Sequence, residues 1–270
     1  MTYSFSHRFN VYFNDSNIST ICSDVTQDSV EITQATDEAL YISSVNPIKT
    51  FYIDLKTPSE DTANIDISVV TSSGWVKLDD FLILDKTNNF KRSGFISINT
   101  KDISQIQDDI NNLNGYHIKL TFDASIEYEL NAVTVIFADD NDLKKEYFLI
   151  DSPEFLFGAS SHLLIHVAVR DEIIQRFNNM GVNLGTGLLT VFDLAEIYEV
   201  RQAGLCLALA KIFMNVSDNP KDSWYMKSLE YSKKGENFLR LAYLSLSQGD
   251  TVIKSDITVG RLYRWAILQR

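Results

Sequence analysis

The sequence contains few of the residues that cross-link or interrupt a fold. Its 270 residues include two cysteines, four prolines and eleven glycines. Cys22 and Cys206 cannot build a disulfide framework, and we expect assembly in a reducing cytoplasm. The low proline and glycine counts exclude a fibrous or linker-rich chain. No run of about 18 apolar residues is present, so we predict no membrane span. Residues 1–7 lack a basic region followed by an apolar one, so we predict no signal peptide.

Positive charge is also scarce. There are 24 Lys and Arg residues against 36 Asp and Glu residues, which gives a formal net charge of −12. Affinity for phosphate depends on clustered Lys and Arg, so the balance argues against a general nucleic-acid binder. An acidic surface does suit a pore through which DNA slides without sticking. The hydrophobic fraction of 45% is sufficient for one large or two ordinary cores.

Short segments of alternating apolar and polar residues dominate the chain before residue 150. They are separated by turns rich in Asp, Asn, Ser and Thr, a pattern typical of a β-sandwich. The predicted strands are residues 30–33, 65–70, 95–98, 116–122 and 130–137. Residues 102–113 are interpreted as a short helix or loop between two strands.

The pattern changes near residue 150 to apolar positions three or four apart, which indicates amphipathic helices. The first predicted helix starts at Ser160 and stops at Gly181. The second starts near Asp193, where Glu196 follows at capping-box spacing. The third starts near Asp222 or Ser223 and ends at residues 249–250.

The predicted fold class is therefore α+β. An antiparallel β-sandwich occupies residues 1–150, and an α-helical bundle with a C-terminal tail occupies residues 151–270.

No catalytic motif is recognisable, so we predict neither an enzyme nor a cofactor. His162 and His166 lie four residues apart, but the Glu of a zinc-binding H-E-x-x-H motif is missing. Core or surface histidines are the favoured interpretation. The acidic residues 138–142 lack the ligand spacing of a Ca²⁺ loop and are interpreted as a solvated turn. Adjacent Asp pairs leave a glycosidase as an open but disfavoured alternative.

The C-terminal tail combines arginines with aromatic residues. Such a tail is able to contact nucleic acid through charge and stacking, or to dock on a neighbouring subunit. In so acidic a chain we favour docking. The predicted docking residues are Arg261, Leu262, Tyr263, Arg264 and Trp265.

One block of the first half resembles a β-sandwich module that recurs in tailed-bacteriophage virion proteins. The resemblance covers residues 38–137, and residues 40–42 and 51–54 match the opening strands. The matching motif residues are Trp75, Asp85, Thr87, Phe90, Ser93, Gly94, Gly115 and Tyr116. The chain departs from the module at residues 99–102, where Pro and Trp are usual, and at His117, where Trp is usual. Some of these modules bind sugars through exposed aromatic residues, and the two departures weaken that interpretation here.

The second half resembles the adaptor, or head-completion, proteins that sit beneath the portal of tailed phages. The matching residues are 191–194, 200–209, 212–213, 224–228 and Tyr231. They include a helical seam of small residues, Ala203, Gly204 and Ala208, which allows helices to approach closely.

This second resemblance implies a structural role at the virion neck. Twelve copies would form a ring, a dodecamer, that binds the portal protein and joins it to tail or neck proteins. DNA would pass through the channel without sequence-specific binding. The protein would be made in the host cytoplasm and would need no membrane. The alternatives are a baseplate or tail structural protein, or a carbohydrate-binding module that recognises the host surface.

Overall fold

A computed structural model describes residues 9–22, 29–100, 103–110, 113–182, 184 and 189–248. The fold is α+β, with antiparallel sheets in the N-terminal part and helices in the C-terminal part. The chain divides into two compact units between Val135 and Ile136. We call them the β unit and the helical unit.

The described residues of the β unit form two sheets, and the strand pairs within them are antiparallel. The first sheet has the order β2-β1-β4-β11-β6-β7, and β10 also pairs with β11. Its strands are β1 (Asn10–Phe13), β2 (Ser16–Asn17), β4 (Leu40–Ser44), β6 (Ile65–Thr71), β7 (Gly74–Lys77), β10 (Asp108–Ile110) and β11 (Leu113–Phe122). The second sheet has the order β3-β12-β5-β9-β8. Its strands are β3 (Val30–Gln34), β5 (Thr50–Thr57), β8 (Ile83–Asp85), β9 (Gly94–Ile98) and β12 (Ile126–Thr134). A short helix, α1 (Ser19–Cys22), follows β2.

The two sheets share a core of aliphatic and aromatic side chains. Phe90 is fully buried, and its ring lies 5.2 Å from Phe122 of the first sheet and 5.0 Å from Tyr128 of the second. Gln34 is also fully buried, and its Nε2 donates to the carbonyl of Leu120 across the sheets. The Tyr128 hydroxyl donates to Gln34 Oε1. This buried amide is therefore hydrogen-bonded at both ends, as a polar group in a core must be.

In the part of the helical unit that the structure describes there are six helices, of which α6 and α7 pack most extensively on each other. The helices are α2 (Asp140–Glu146), α3 (Pro153–Leu156), α4 (Leu163–Asn179), α5 (Val191–Glu196), α6 (Tyr198–Val216) and α7 (Ser223–Gln248). The buried face of α6 is built largely from alanine, leucine and phenylalanine side chains. Because alanine and glycine are small, neighbouring backbones approach it closely.

Most of the predicted strands and helices are present, although some begin or end at other residues than predicted. The strands predicted at 30–33, 65–70, 95–98 and 116–122 are confirmed. The strand predicted at 130–137 begins earlier, at Ile126, and ends at Thr134. The first helix starts at Leu163 rather than Ser160, and Gly181 has the left-handed φ of 84° expected after a helix. The start of the third helix at Ser223 is confirmed.

Three local predictions are wrong. Where a helix or loop was expected between 102 and 113, residues 108–110 form strand β10. The acidic run 138–142 is no plain turn, because Asp139 caps α2 by accepting from the Asp142 amide. The second helix starts near the predicted position, at Val191, but its capping box consists of Thr190 and Asp193 rather than Asp193 and Glu196.

The division between the two units also precedes the predicted boundary at residue 150. The reason lies in Tyr147, which follows α2. Its ring contacts Phe155, Phe213 and Trp224, so the segment after Val135 packs with the helices.

Candidate functional site

The motif block of the β unit builds a tight left-handed turn. Three consecutive residues, Asn88, Asn89 and Phe90, have φ values of 56°, 58° and 62°. This conformation costs roughly 1–2 kcal/mol for each residue other than glycine. Asp85 holds the turn, because Oδ1 accepts from the Thr87 amide at 2.7 Å and Oδ2 accepts from the Asn89 amide at 2.8 Å. The Asp-x-Thr motif is therefore the hydrogen-bonding frame that inserts Phe90 into the core.

The remaining small residues of the block let backbones approach closely. A Cβ on Gly94 would lie 2.6 Å from the Lys86 carbonyl oxygen, and one on Gly115 would lie 2.8 Å from that of Ser44. Ser93 Oγ accepts from the Leu55 amide at 2.9 Å. These three positions join neighbouring segments of the sheets, so the structure gives them a role in folding.

Trp75 is the motif residue with the most solvent access. It lies on edge strand β7 and is 38% exposed. Residues that lie opposite each other on paired strands point to the same face of a sheet. Trp75 lies opposite Val70, and the register of β6 with β11 places Val70 opposite His117, so Trp75 and His117 share a face. Tyr116 precedes His117 on β11 and therefore points to the other face. The aromatic partner of Trp75 is Tyr41, at a centroid distance of 5.9 Å.

His117 cross-links three strands. Its Nε2 lies 2.8 Å from the carbonyl oxygen of Asp108, which can only accept, so Nε2 carries the proton. In the neutral ring Nδ1 then accepts from the Ser43 hydroxyl at 2.6 Å. Both side chains are 1% exposed. His117 thus ties β4 and β10 to β11.

The favoured interpretation of His162 and His166 was a core or a surface position, and the structure buries both. Their shared partner is Asp140. His166 Nε2 lies 3.0 Å from Asp140 Oδ1, and the His162 amide donates to both carboxylate oxygens at 3.3 and 3.1 Å. His162 Nε2 lies 3.1 Å from the Ile150 carbonyl oxygen. The first residue of α2 therefore caps the N-terminus of α4.

Replacing Asp140 with alanine should lower the free energy of unfolding of the helical unit by about 2 kcal/mol at pH 7. Burial, the largest influence on the Asp140 pKa, raises it, but the bonds from His166 and His162 outweigh burial and leave the pKa below its usual value. Because the folded pKa is depressed, the stabilisation is present above the unfolded pKa. It is lost as the pH falls through the folded pKa.

The measurement is urea unfolding followed by helical circular dichroism at pH 7 and in strong acid. The matched control is Asp151→Ala, which removes an exposed carboxylate paired with exposed Lys144 and should cost less than about 1 kcal/mol. An Asp140→Ala deficit that is equally large at both pH values would contradict the linkage.

An aromatic cluster encloses a lysine at the end of the α6–α7 hairpin. Lys227 Nζ lies 4.4 Å from the centroid of Trp224 and 4.7 Å from that of Tyr147. The Trp224 ring stacks on Phe213 at 5.4 Å and 17°. Contacts between a cation and aromatic faces contribute about 0.5–2 kcal/mol. Lys227 thus stabilises the α6–α7 hairpin.

The predicted helical seam is buried. Ala203 and Ala208 are inaccessible to solvent, and Gly204 is buried. A Cβ on Gly204 would lie 2.8 Å from Phe137 Cβ, so its small size serves packing within the unit. The seam positions α6 against the segment that enters the helical unit.

Several large apolar side chains of the helical unit remain exposed. Phe148 is 74% exposed, and Phe157 and Leu164 are 52% and 53% exposed. All three lie in the segment from the end of α2 to the start of α4, which the bond between His162 and Ile150 draws together. Exposed apolar patches are features of interaction sites, so this segment is a candidate for one. We call these three residues the loop surface.

An open groove of about 430 Å³ lies beside α2 and α6. Several of its charged lining residues are bonded to other side chains. Asp142 pairs with Lys145 at 2.9 Å and lies 3.8 Å from Arg201, and Glu146 accepts from the Tyr231 hydroxyl at 3.1 Å. These bonds hold α2 on the α6–α7 hairpin.

The predicted docking residues 261–265 lie outside the described residues. Among the residues that the structure describes, no cluster of three or more His, Cys, Asp or Glu side chains is placed to hold a metal ion. No helix in the described ranges has the length and apolar character needed to cross a bilayer.

The chain matches no protein-family profile, no curated protein and no solved structure.

Proposed function

We propose that the protein is a structural subunit of a tailed-phage virion that forms an oligomeric ring at the neck and joins the portal to the tail. Its partners are further copies of itself, the portal protein, and neck or tail proteins. The role is mechanical, and it requires neither catalysis nor a cofactor. The proposal starts from the resemblance of residues 191–231 to phage adaptor proteins.

The observation that carries the proposal is the loop surface. Phe148, Phe157 and Leu164 each leave about half or more of their surface in water. Burying a side chain of this size contributes about 1.5–3 kcal/mol, so contact with a neighbouring subunit would stabilise an assembly substantially. The net charge of −12 further suits a channel through which DNA passes.

The first test is the assembly state of the purified full-length chain by native mass spectrometry. Phe148→Asp should abolish ring formation, because it places a charge in the contact. The matched control is Phe81→Asp, which makes the same change at a residue that is 82% exposed in the β unit and should leave the ring intact. A monomeric wild-type chain, or equal effects of both variants, would contradict assembly through the loop surface.

Cross-linking mass spectrometry on intact particles tests the location. Links from Lys211, Lys227, Lys233 or Lys254 to a portal protein would support the neck. Links to baseplate or fibre proteins alone would indicate that the protein is located in the tail rather than at the neck. Absence of the protein from the particles would refute a virion role.

Carbohydrate binding by the β unit is the second candidate. The observation in its favour is the pair Trp75 and Tyr41, which share the outer face of the first sheet with Lys119. Aromatic faces beside polar groups suit a sugar ring. A glycan array should then give hits that Trp75→Ala removes and Phe81→Ala retains. An array without hits would eliminate this candidate.

A further inference from the structure

Helix α7 connects two ends of the helical unit that differ in character. Its first turn lies beside the loop surface, because the Trp224 ring contacts Phe155, two residues before Phe157. Its last turns lie beside the end of α4, where the Tyr243 hydroxyl donates to the Met180 carbonyl. The 26 residues of α7 separate these ends by about 39 Å. The loop surface and the point at which the chain leaves α7 are therefore at opposite ends of the unit.

The sequence that follows α7 differs in charge from the rest of the chain. The C-terminal tail, residues 249–270, contains four Lys or Arg residues and two Asp residues, whereas the whole chain has a net charge of −12. Residues 261–270 contain three arginines and no acidic side chain, together with Tyr263 and Trp265. Arginine and large aromatic residues are the usual anchors of protein interfaces. The tail therefore suits a surface that is both apolar and acidic.

The loop surface has these two properties. Its three side chains are each more than half exposed. Residues 147–169, which contain it, include no Lys or Arg and two carboxylates, Asp151 and Glu154. Asp151 is paired with Lys144, and Glu154 is exposed. A segment that carries arginine beside aromatic rings would find apolar contacts here and a carboxylate next to them.

We propose that the tail of one copy docks on the loop surface of the next copy through residues 261–265. This inference rests on the proposed ring and names the segment that covers its contact surface. A fully extended connection through residues 249–260 spans about 40 Å, so the tail reaches the loop surface of its own copy only at its limit. A neighbouring copy is not subject to that limit, because it can lie beside the end of α7.

The direction of this contact fits a ring. Each copy gives a tail at one end of the helical unit and receives a tail at the other end, so the contact is head-to-tail. A head-to-tail contact repeats from copy to copy and closes into a ring when the rotation allows it. A contact between identical surfaces would stop at two copies.

Photo-cross-linking of the full chain tests the contact and its direction. Trp265 is replaced by the photoreactive residue p-benzoylphenylalanine, and the irradiated protein is run on a denaturing gel. Head-to-tail docking predicts a ladder of covalent oligomers that extends beyond the dimer, with cross-linked peptides from residues 147–164. A ladder that stops at the dimer would indicate reciprocal exchange, and a cross-linked monomer alone would place the tail on its own copy. Either result, cross-links to other peptides only, or no cross-links would overturn the proposal.

Charge reversal distinguishes failure of this inference from failure of the proposed ring. Arg264→Glu should raise the concentration at which half of the chains assemble by about tenfold, because it places like charges together. Lys233→Glu makes the same change of charge at an exposed residue of α7 and should leave assembly unchanged. Adding Glu154→Arg to the Arg264→Glu chain should restore assembly, because it reverses both charges.

Native mass spectrometry of the full-length chains gives the assembled fraction. Wild-type rings that Arg264→Glu leaves intact, or that both single variants weaken equally, would refute tail docking and leave the ring itself standing. Absence of rescue by Glu154→Arg would show that the tail docks elsewhere. A monomeric wild-type chain would refute the ring and the docking together.

Discussion

Asp85→Ala should lower the free energy of unfolding of the β unit by about 3 kcal/mol. The carboxylate accepts from the amides of Thr87 and Asn89 and from the Thr87 hydroxyl. These bonds compensate for three consecutive left-handed residues, so their loss releases the turn and withdraws Phe90 from the core. Urea unfolding followed by the fluorescence of Trp75, in a Trp224→Phe and Trp265→Phe background, measures the change.

Asp80→Ala is the matched control for Asp85→Ala. Asp80 is an exposed carboxylate in the same connection, and its removal should change stability by less than about 0.5 kcal/mol. Asp85→Asn should fall between the two, because the amide keeps one acceptor oxygen. Equal stability of the Asp85→Ala and Asp80→Ala chains would show that the turn does not depend on the carboxylate.

Gly204→Ala should destabilise the helical unit by about 2 kcal/mol, although alanine favours a helix over glycine by about 1 kcal/mol. The new Cβ would lie 2.8 Å from Phe137 Cβ, an atom fixed to its backbone. The contact is therefore relieved only by moving α6 or the segment that contains Phe137. Thermal unfolding followed by circular dichroism gives the change in stability.

Gly235→Ala provides the comparison for Gly204→Ala. Its new Cβ would also meet a neighbour at 2.8 Å, but the atom belongs to the Leu207 side chain, which can rotate. Both variants replace glycine with alanine inside a helix and gain the same helix propensity. The difference between their changes in stability therefore reports the cost of the new Cβ contact. We expect the smaller loss at Gly235, and the opposite order would show that Phe137 yields more easily than Leu207.

Elements with a strong local period were predictable from the sequence. The alternation of apolar and polar residues predicted β6 and β11, because one face of each strand is buried and the other is not. The polar break before Ser223 identified the start of α7, where Asp222 accepts from the Trp224 amide. Strand β10 was not predictable, because three residues, Asp108, Asp109 and Ile110, carry no alternation and owe their conformation to pairing with β11.

Positions set by long-range contacts could not be derived from the sequence. A sugar-binding face that uses the two motif aromatics Trp75 and Tyr116 together is not formed, because strand register places them on opposite faces of the sheet and the ring beside Trp75 is that of Tyr41. The two histidines at 162 and 166 were recognised as a pair. Their carboxylate partner, Asp140, lies on another helix, and no spacing rule connects it to them. The motif block was recognised as a unit, yet its left-handed turn is visible only in the backbone angles.

The burial of one cysteine in each unit has a practical consequence. Cys22 is fully buried in the β unit, and Cys206 is 6% exposed in the helical unit. Burial raises the pKa of the Cys22 thiol to about 12 and that of the Cys206 thiol to about 11, so reactive thiolate is scarce while each unit stays folded. Alkylation must then await opening of the surrounding structure. The rate at which each thiol is labelled, read by peptide mass, therefore reports the opening equilibrium of its own unit in a single sample.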